Sequence, residues 1–149
     1  MKVTGIMSSP VISVARDTPM RRVAALMREK RIGAVVVVDA DGALLGLVTE
    51  TDMATVRRSV PFSLKLAAVI YGMRPPTPAE SAELMAMAAR LTAGDLMTSP
   101  IESVREDQEA SEVAALMLKH DRRHVPVVRD GKPVGIVARH DLLKLLLRP

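Results

Sequence analysis

The chain contains no cysteine, which excludes both disulfide staples and thiolate metal sites. Aromatic residues are nearly as scarce, since Phe62 and Tyr71 are the only ones. The core therefore has to be built from Val, Leu, Ile, Ala and Met, and stacking platforms for single-stranded nucleic acid are missing. Long hydrophobic runs are missing too. At the N-terminus Pro10 and polar residues arrive before any apolar stretch, so no signal-peptide pattern is present. Lys65 and Lys144 break the longest apolar stretches and leave them too short to span a bilayer. A cytoplasmic protein is the expectation. No nucleophile stands beside a base, no carboxylates pair in an obvious cleft, and no cofactor loop is present, so an enzyme is not expected.

What the chain does have is 149 residues, 48% of them hydrophobic and 26% charged, the composition of a globular protein. That length suits one domain or two very small ones. The net charge of +4 and a pI near 9.8 favour anionic partners without naming one. There is no uninterrupted basic stripe, which leaves nucleic-acid binding as a lesser alternative.

One stretch occurs twice. Gly46-Leu47-Val48-Thr49-Glu50-Thr51-Asp52 shares its frame with Gly135-Ile136-Val137-Ala138-Arg139-His140-Asp141: glycine, two β-formers, three variable positions, aspartate, then an apolar helical run. The repetition extends upstream at a shift of 90. Met97 to Pro100 overlays Met7 to Pro10, Val113 to Met117 reproduces Val23 to Met27 identically, and Val125 to Val128 falls on Val35 to Val38. The second hairpin turn, Arg129-Asp130-Gly131, is one residue shorter, where a length change costs least.

Within the first copy, Pro10 marks a turn into a short strand ending near Val14. Thr18 and Pro19 predict a helix start, with Thr18 as N-cap and Pro19 at the first helical position. Val23, Leu26 and Met27 form its apolar stripe, and Gly33 is expected to end it. Ala34 to Val38 reads as a strand covered on both faces. Asp39 to Gly42 is a turn, Leu44 to Val48 a strand, and a helix follows from about Asp52. Each half is too small to bury its own core well, so the two should pack face to face about a pseudo-twofold axis. Between them, Pro61 to Gly72 reads as a short helix. Thr77-Pro78-Ala79-Glu80 is a capping-box signature for a second helix. This connector either covers core surface or serves as a lid or docking element.

Two βαββα units with Met-x-x-Pro starts, a Val-Pro-Val-Val strand and Gly-h-h-x-x-x-Asp endings (h, hydrophobic) resemble a tandem pair of CBS domains, the Bateman module. The resemblance implies an α+β fold with repeats at 1–59 and 93–149 joined by a helical connector at 60–92. It also implies a regulatory module that binds AMP, ADP, ATP, S-adenosylmethionine or a related adenosyl ligand between the repeats, with no cofactor required. Because the repeats and connector use up the chain, the expected partner is an effector protein in trans or a second copy in a homodimer. A purely structural dimerisation module with degenerate clefts is the alternative.

Carried over by position, the resemblance implies one cleft made by Thr49, Thr51 and Asp52 with Met97, Pro100, Glu102, Arg123 and His124. The other would combine Ala138, Arg139, His140 and Asp141 with Met7, Pro10, Ile12, Gly33 and Ala34. The chemistry is sensible in itself. An ionised carboxylate accepts two hydrogen bonds and so suits a ribose diol, while threonine hydroxyls and cations suit phosphate. Asp52 and Asp141 could equally be helix N-caps. The second cleft lacks a hydroxyl at Ala138, which makes it the weaker candidate. His120 and His124 stand four apart, but Asp121-Arg122-Arg123 leads into a strand and brings cations that oppose a metal, so no metal site is expected. Leu142, Leu143, Leu145, Leu146 and Leu147 nearly encircle the last helix, which points to a homodimer through it or through the helix after Asp52.

Overall fold

The computed structural model describes residues 1–54 and 73–147. Strand β1 (Ser13–Ala15) runs through helix α1 (Met20–Lys30) into β2 (Ala34–Val38), which turns back as β3 (Leu44–Thr49) and enters α2 (Glu50–Ala54). The connector contributes α3 (Pro78–Arg90). After it come α4 (Ala93–Leu96), β4 (Val104–Arg105), α5 (Ala110–Lys119), β5 (His124–Arg129), β6 (Lys132–Ala138) and a 3-10 helix, Arg139–Leu145. The expected helix over Pro61 to Gly72 lies outside the described residues.

Each half forms a three-stranded sheet, in the orders β1-β2-β3 and β4-β5-β6. The first pair in each is parallel and the second antiparallel. The β-branched run of β2 is buried from Ala34 to Val37, as a strand covered on both faces requires. Both sheets carry an irregularity at matching places, between Val37 and Val38 and between Val127 and Val128. In the first hairpin turn the Asp39 carboxylate accepts the amides of Asp41 and Ala43, and Gly42 takes φ +81°. An L side chain rarely adopts that conformation, so glycine is needed there.

Three boundaries differ from the sequence reading. Helix α1 starts at Met20 with Pro19 as its N-cap, and Thr18 instead offers its carbonyl to the Ala93 amide at 2.8 Å. The same helix ends on Arg31 (φ +52°) rather than on Gly33, with the Arg31 and Ile32 amides closing onto Arg28 and Met27. In the second repeat the helix is capped by His120, and the positive φ falls on the next residue, Asp121 (φ +49°). Helix α2 begins at Glu50, which makes Thr49 its first cap residue and Asp52 its third helical residue.

The repeats exchange their leading segments. Val3 and Ile6, both 0% exposed, belong to the core of the second repeat with Val113, Met117, Val125 and Val127. Ala93 and Leu96 belong to the core of the first, with Val23, Val35, Val37 and Val48. The supporting backbone bonds are reciprocal. Val3 donates to the Gln108 carbonyl (3.0 Å) and Ala110 to Met1 (2.8 Å), just as Ala93 donates to Thr18 and Met20 to Leu91 (2.9 Å). A third cluster of Ala34, Val36 and Leu47 packs with Val11, Ile101 and Ile136 between the sheets. This exchange is how two halves, each too small for a core, obtain one.

Candidate functional site

Helix α2 opens with a reciprocal capping box. The Asp52 carboxylate accepts the Thr49 amide (2.8 Å) and the Thr49 hydroxyl (3.1 Å), and the Thr49 hydroxyl accepts the Asp52 amide (3.3 Å). Asp52 is thus the third helical residue reaching back to the cap, a correction to its reading as an N-cap. Its other oxygen accepts the hydroxyl of Thr98, from the opposite repeat, at 3.1 Å.

This carboxylate faces a cavity of about 410 Å³ between the repeats. The first repeat supplies Gly33, Leu47, Thr49, Glu50, Thr51 and Asp52 to its wall. The second supplies Thr98, Ile101, Asp121, Arg122, Arg123 and His124. The volume lies within the ordinary range for small-molecule sites. Thr49, Thr51, Asp52, Arg123 and His124 are thereby brought together. Met97, Pro100 and Glu102 are not on this wall. The Met97 side chain packs into the core of the first repeat and lies over Gly46, and Pro100 is exposed. Glu102 meets His120 Nδ1 at 2.7 Å and Arg122 Nε at 3.6 Å, and the hydrogen bond from His120 holds its carboxyl below the usual range.

The opposing wall is basic but partly engaged. Arg139 pairs with Asp121 at 2.8 Å and lowers the pKa of that carboxyl. Arg123 forms no ion pair among the described residues. His124 is half-buried, and desolvation pushes its pKa below the ordinary value, with the nearby charge of Glu50 acting the other way. Its Nδ1 is buried without a hydrogen-bond partner. Sequence reasoning missed Leu47, Glu50, Thr98, Ile101, Asp121 and Arg122 around this cavity and assigned Gly33 to the other cleft alone. Thr98 had a signal, since it overlays Ser8 between the Met and Pro of the repeated start.

The second cleft is smaller, about 230 Å³. Pro10, Ile12, Gly33, Ala34, Ala138, His140 and Asp141 line it, joined by Arg31, His124 and Ile136. Met7 instead packs against the second core, over Gly135. Arg139 lines a neighbouring space of about 270 Å³ with Arg123, His124, Ala138 and His140. The two aspartates differ in kind. Asp141 is 2% exposed. One of its oxygens accepts the Ala138 amide (2.8 Å) and the other accepts Lys144 Nζ (2.8 Å), which also donates to the Ile6 carbonyl (2.7 Å). Where Asp52 meets a neutral hydroxyl, Asp141 meets an ammonium group that fastens the exchanged N-terminal segment.

Comparison with known proteins places this architecture. The CBS domain family model matches residues 3–59 and 93–148. An uncharacterised protein of Methanocaldococcus jannaschii is 34% identical over 145 residues, covering 97% of this chain and 32% of that protein. The chain therefore spans about a third of that relative's length. The crystal structure of the CBS domain of a CBS domain containing membrane protein from Sphaerobacter thermophilus superposes with a TM-score of 0.76 at 38% identity, covering 97% of this chain and 87% of that one. The structure of CBSX2 in complex with AMP shares the fold at a TM-score of 0.72 and 24% identity, covering 98% and 96% respectively. The duplicated fold, the family match over both repeats and these likenesses lead to one conclusion: the chain belongs to the CBS domain family, as a tandem pair.

Proposed function

We propose that this chain is a sensing module that holds an adenosine ligand (AMP, ADP, ATP or S-adenosylmethionine) in the larger cleft and signals its occupancy to a partner protein. The observation that carries this reading is the cavity of about 410 Å³ whose walls come from different repeats. At one end Asp52 and the Thr49 hydroxyl of the first repeat meet the Thr98 hydroxyl of the second in a cluster suited to a ribose diol, because carboxylate and hydroxyl oxygens accept what a diol donates. From the second repeat, Arg123 and His124 offer donors to phosphate oxygens. A ligand that touches both walls favours one relative placement of the repeats, and differential affinity of that kind is what a signal requires. The smaller cleft, with Asp141 tied to Lys144, is the weaker binder in this reading. The module acts as a binding protein rather than an enzyme, and it works as a homodimer.

The test is calorimetric titration with the four candidate ligands, supported by thermal denaturation. A ligand at about 100 times its Kd should add roughly 2.7 kcal/mol to the stability of the folded state. Because Asp52 is the third helical residue, Asp52→Asn is the informative variant: it retains an acceptor for the Thr49 amide and removes the charge. Loss of charge-assisted bonds worth about 1.5–3 kcal/mol should weaken binding roughly ten- to a hundredfold. Unchanged affinity in Asp52→Asn would show that the carboxylate only caps α2.

A further inference from the structure

His124 stands where the two clefts meet. It lines the large cleft, the small cleft and the neighbouring space of about 270 Å³. Gly33 is the other residue common to the two clefts, and a Cβ there would stand 3.4 Å from both Cε1 and Nε2 of His124. The partition is therefore the Cε1–Nε2 edge of one imidazole against a bare glycine backbone.

The ring's hydrogen-bonding capacity is limited by its setting. Nδ1 is buried and has no partner. A proton placed there would be an orphaned buried donor, the kind that folded proteins avoid most strictly, so the neutral ring carries its proton on Nε2. Burial holds the ring neutral near pH 7. A neutral imidazole has one N–H to give. His124 thus presents a single donor at a boundary that both clefts share.

We infer that the two clefts compete for the Nε2–H of His124, so that a ligand filling the large cleft weakens binding in the small one. This rests on the reading of the clefts as ligand sites and adds a coupling between them. The donor can point to one acceptor at a time. Whichever cleft binds first takes it, and the later ligand binds without that hydrogen bond. The loss of one such bond corresponds to roughly a three- to tenfold weakening.

The experiment is a calorimetric titration of the full chain with the tightest binder among AMP, ADP, ATP and S-adenosylmethionine. Asp52→Asn identifies the large-cleft event as the one it weakens. With that cleft disabled, the small-cleft event should become three- to tenfold tighter than in the wild type, because the donor is released to it. Adding His124→Phe, which keeps a ring but has no donor, should abolish that gain. Should the phenylalanine ring crowd Gly33 and prevent folding, His124→Gln serves instead. Its amide carries two N–H groups, so the small-cleft affinity should be the same with the large cleft filled or disabled. The coupling is overturned if small-cleft affinity in the wild type equals that in Asp52→Asn, if the gain survives His124→Phe, or if no second event appears in any variant. If none of the four ligands binds, the coupling falls together with the functional reading. If binding occurs with independent sites, the coupling alone falls.

Discussion

Gly46 and Gly135, the first residues of the repeated stretch, are small for a reason their own strands do not supply. A Cβ on Gly46 would stand 2.6 Å from the Thr98 carbonyl oxygen, and one on Gly135 would stand 3.0 Å from that of Ser8. The Met-x-x-Pro segment of the other repeat crosses there, joined by the paired bonds Leu47–Thr98 and Ser8–Ile136. Close backbone approach, joined at Gly135 by the Met7 sulfur at 2.5 Å, and not an unusual φ, selects glycine at these sites. Another residue-scale arrangement yields a pH prediction. Arg74 makes two hydrogen bonds to the Glu80 carboxylate, at 2.8 and 2.7 Å, and the Thr77 amide adds a third at 3.0 Å. Together, with Arg74 the largest cause, they hold the Glu80 pKa at about 2 against an ordinary 4.5. The folded pKa is depressed, so this contribution is complete above about pH 4.5 and is lost as pH falls toward 2. Amide exchange at the start of α3 should accelerate across that window, and Glu80→Gln should remove the dependence. A flat exchange profile in the wild type would refute the pairing in solution.

Among the described residues the order of strands and helices follows the pattern, with shifted boundaries, and the elements are used in ways the pattern did not reveal. The capping box at Thr77–Glu80 starts α3 where the signature put it. The apolar run after Asp141 forms a 3-10 helix in place of the expected α-helix, with Leu142 and Leu145 packed on the second core. The exchanged segments are the clearest case. Val3–Gly5 and Ala93–Leu96 are short, and each fills the core of the repeat it does not belong to. Ile6 is fully buried in the second repeat's core. Ile6→Ala should therefore cost about 2–5 kcal/mol. Hydrogen exchange should show the loss at α5 and β5, far from residue 6 in sequence. Loss confined to β1 and β2 would contradict the exchange.

At the scale of the whole molecule, the surface is left with apolar residues that one chain does not cover. Leu143, Leu146 and Leu147 are 59%, 82% and 79% exposed, all at the end of the second repeat. Their burial against a second copy is the expected use, since contiguous exposed leucines mark interaction surfaces. Light scattering at micromolar concentration should give twice the mass of the chain, and Leu146→Glu should reduce it to one. A monomer in the wild type, with and without nucleotide, would count against the homodimer. Among the described residues no helix is long and apolar enough to cross a membrane.

The sequence by itself determined the duplication, the strand and helix order and the hairpin turns. These depend on interactions between near neighbours: β-branched runs, capping residues and turn glycines act over a few positions. It also marked Asp52, which recurs as Asp141 in the repeated frame, while Thr49, Arg123 and His124 were reached through the resemblance to CBS domain pairs. Only the tertiary structure decided which repeat each leading segment completes. Val3 and Ala93 look alike in sequence whether they pack at home or across, because apolar periodicity names a buried face but not its partner. The structure also deepened a difference between the two aspartates that Ala138 in place of Thr49 had already marked. Asp52 and Asp141 hold equivalent places in the repeat. Asp52 accepts the Thr98 hydroxyl from the other repeat, whereas Asp141 accepts the ammonium of Lys144, three residues on, which packing also brings to the Ile6 carbonyl. The sharing of His124 between clefts is likewise a fact of distance across the interface with Gly33, which no spacing along the chain encodes.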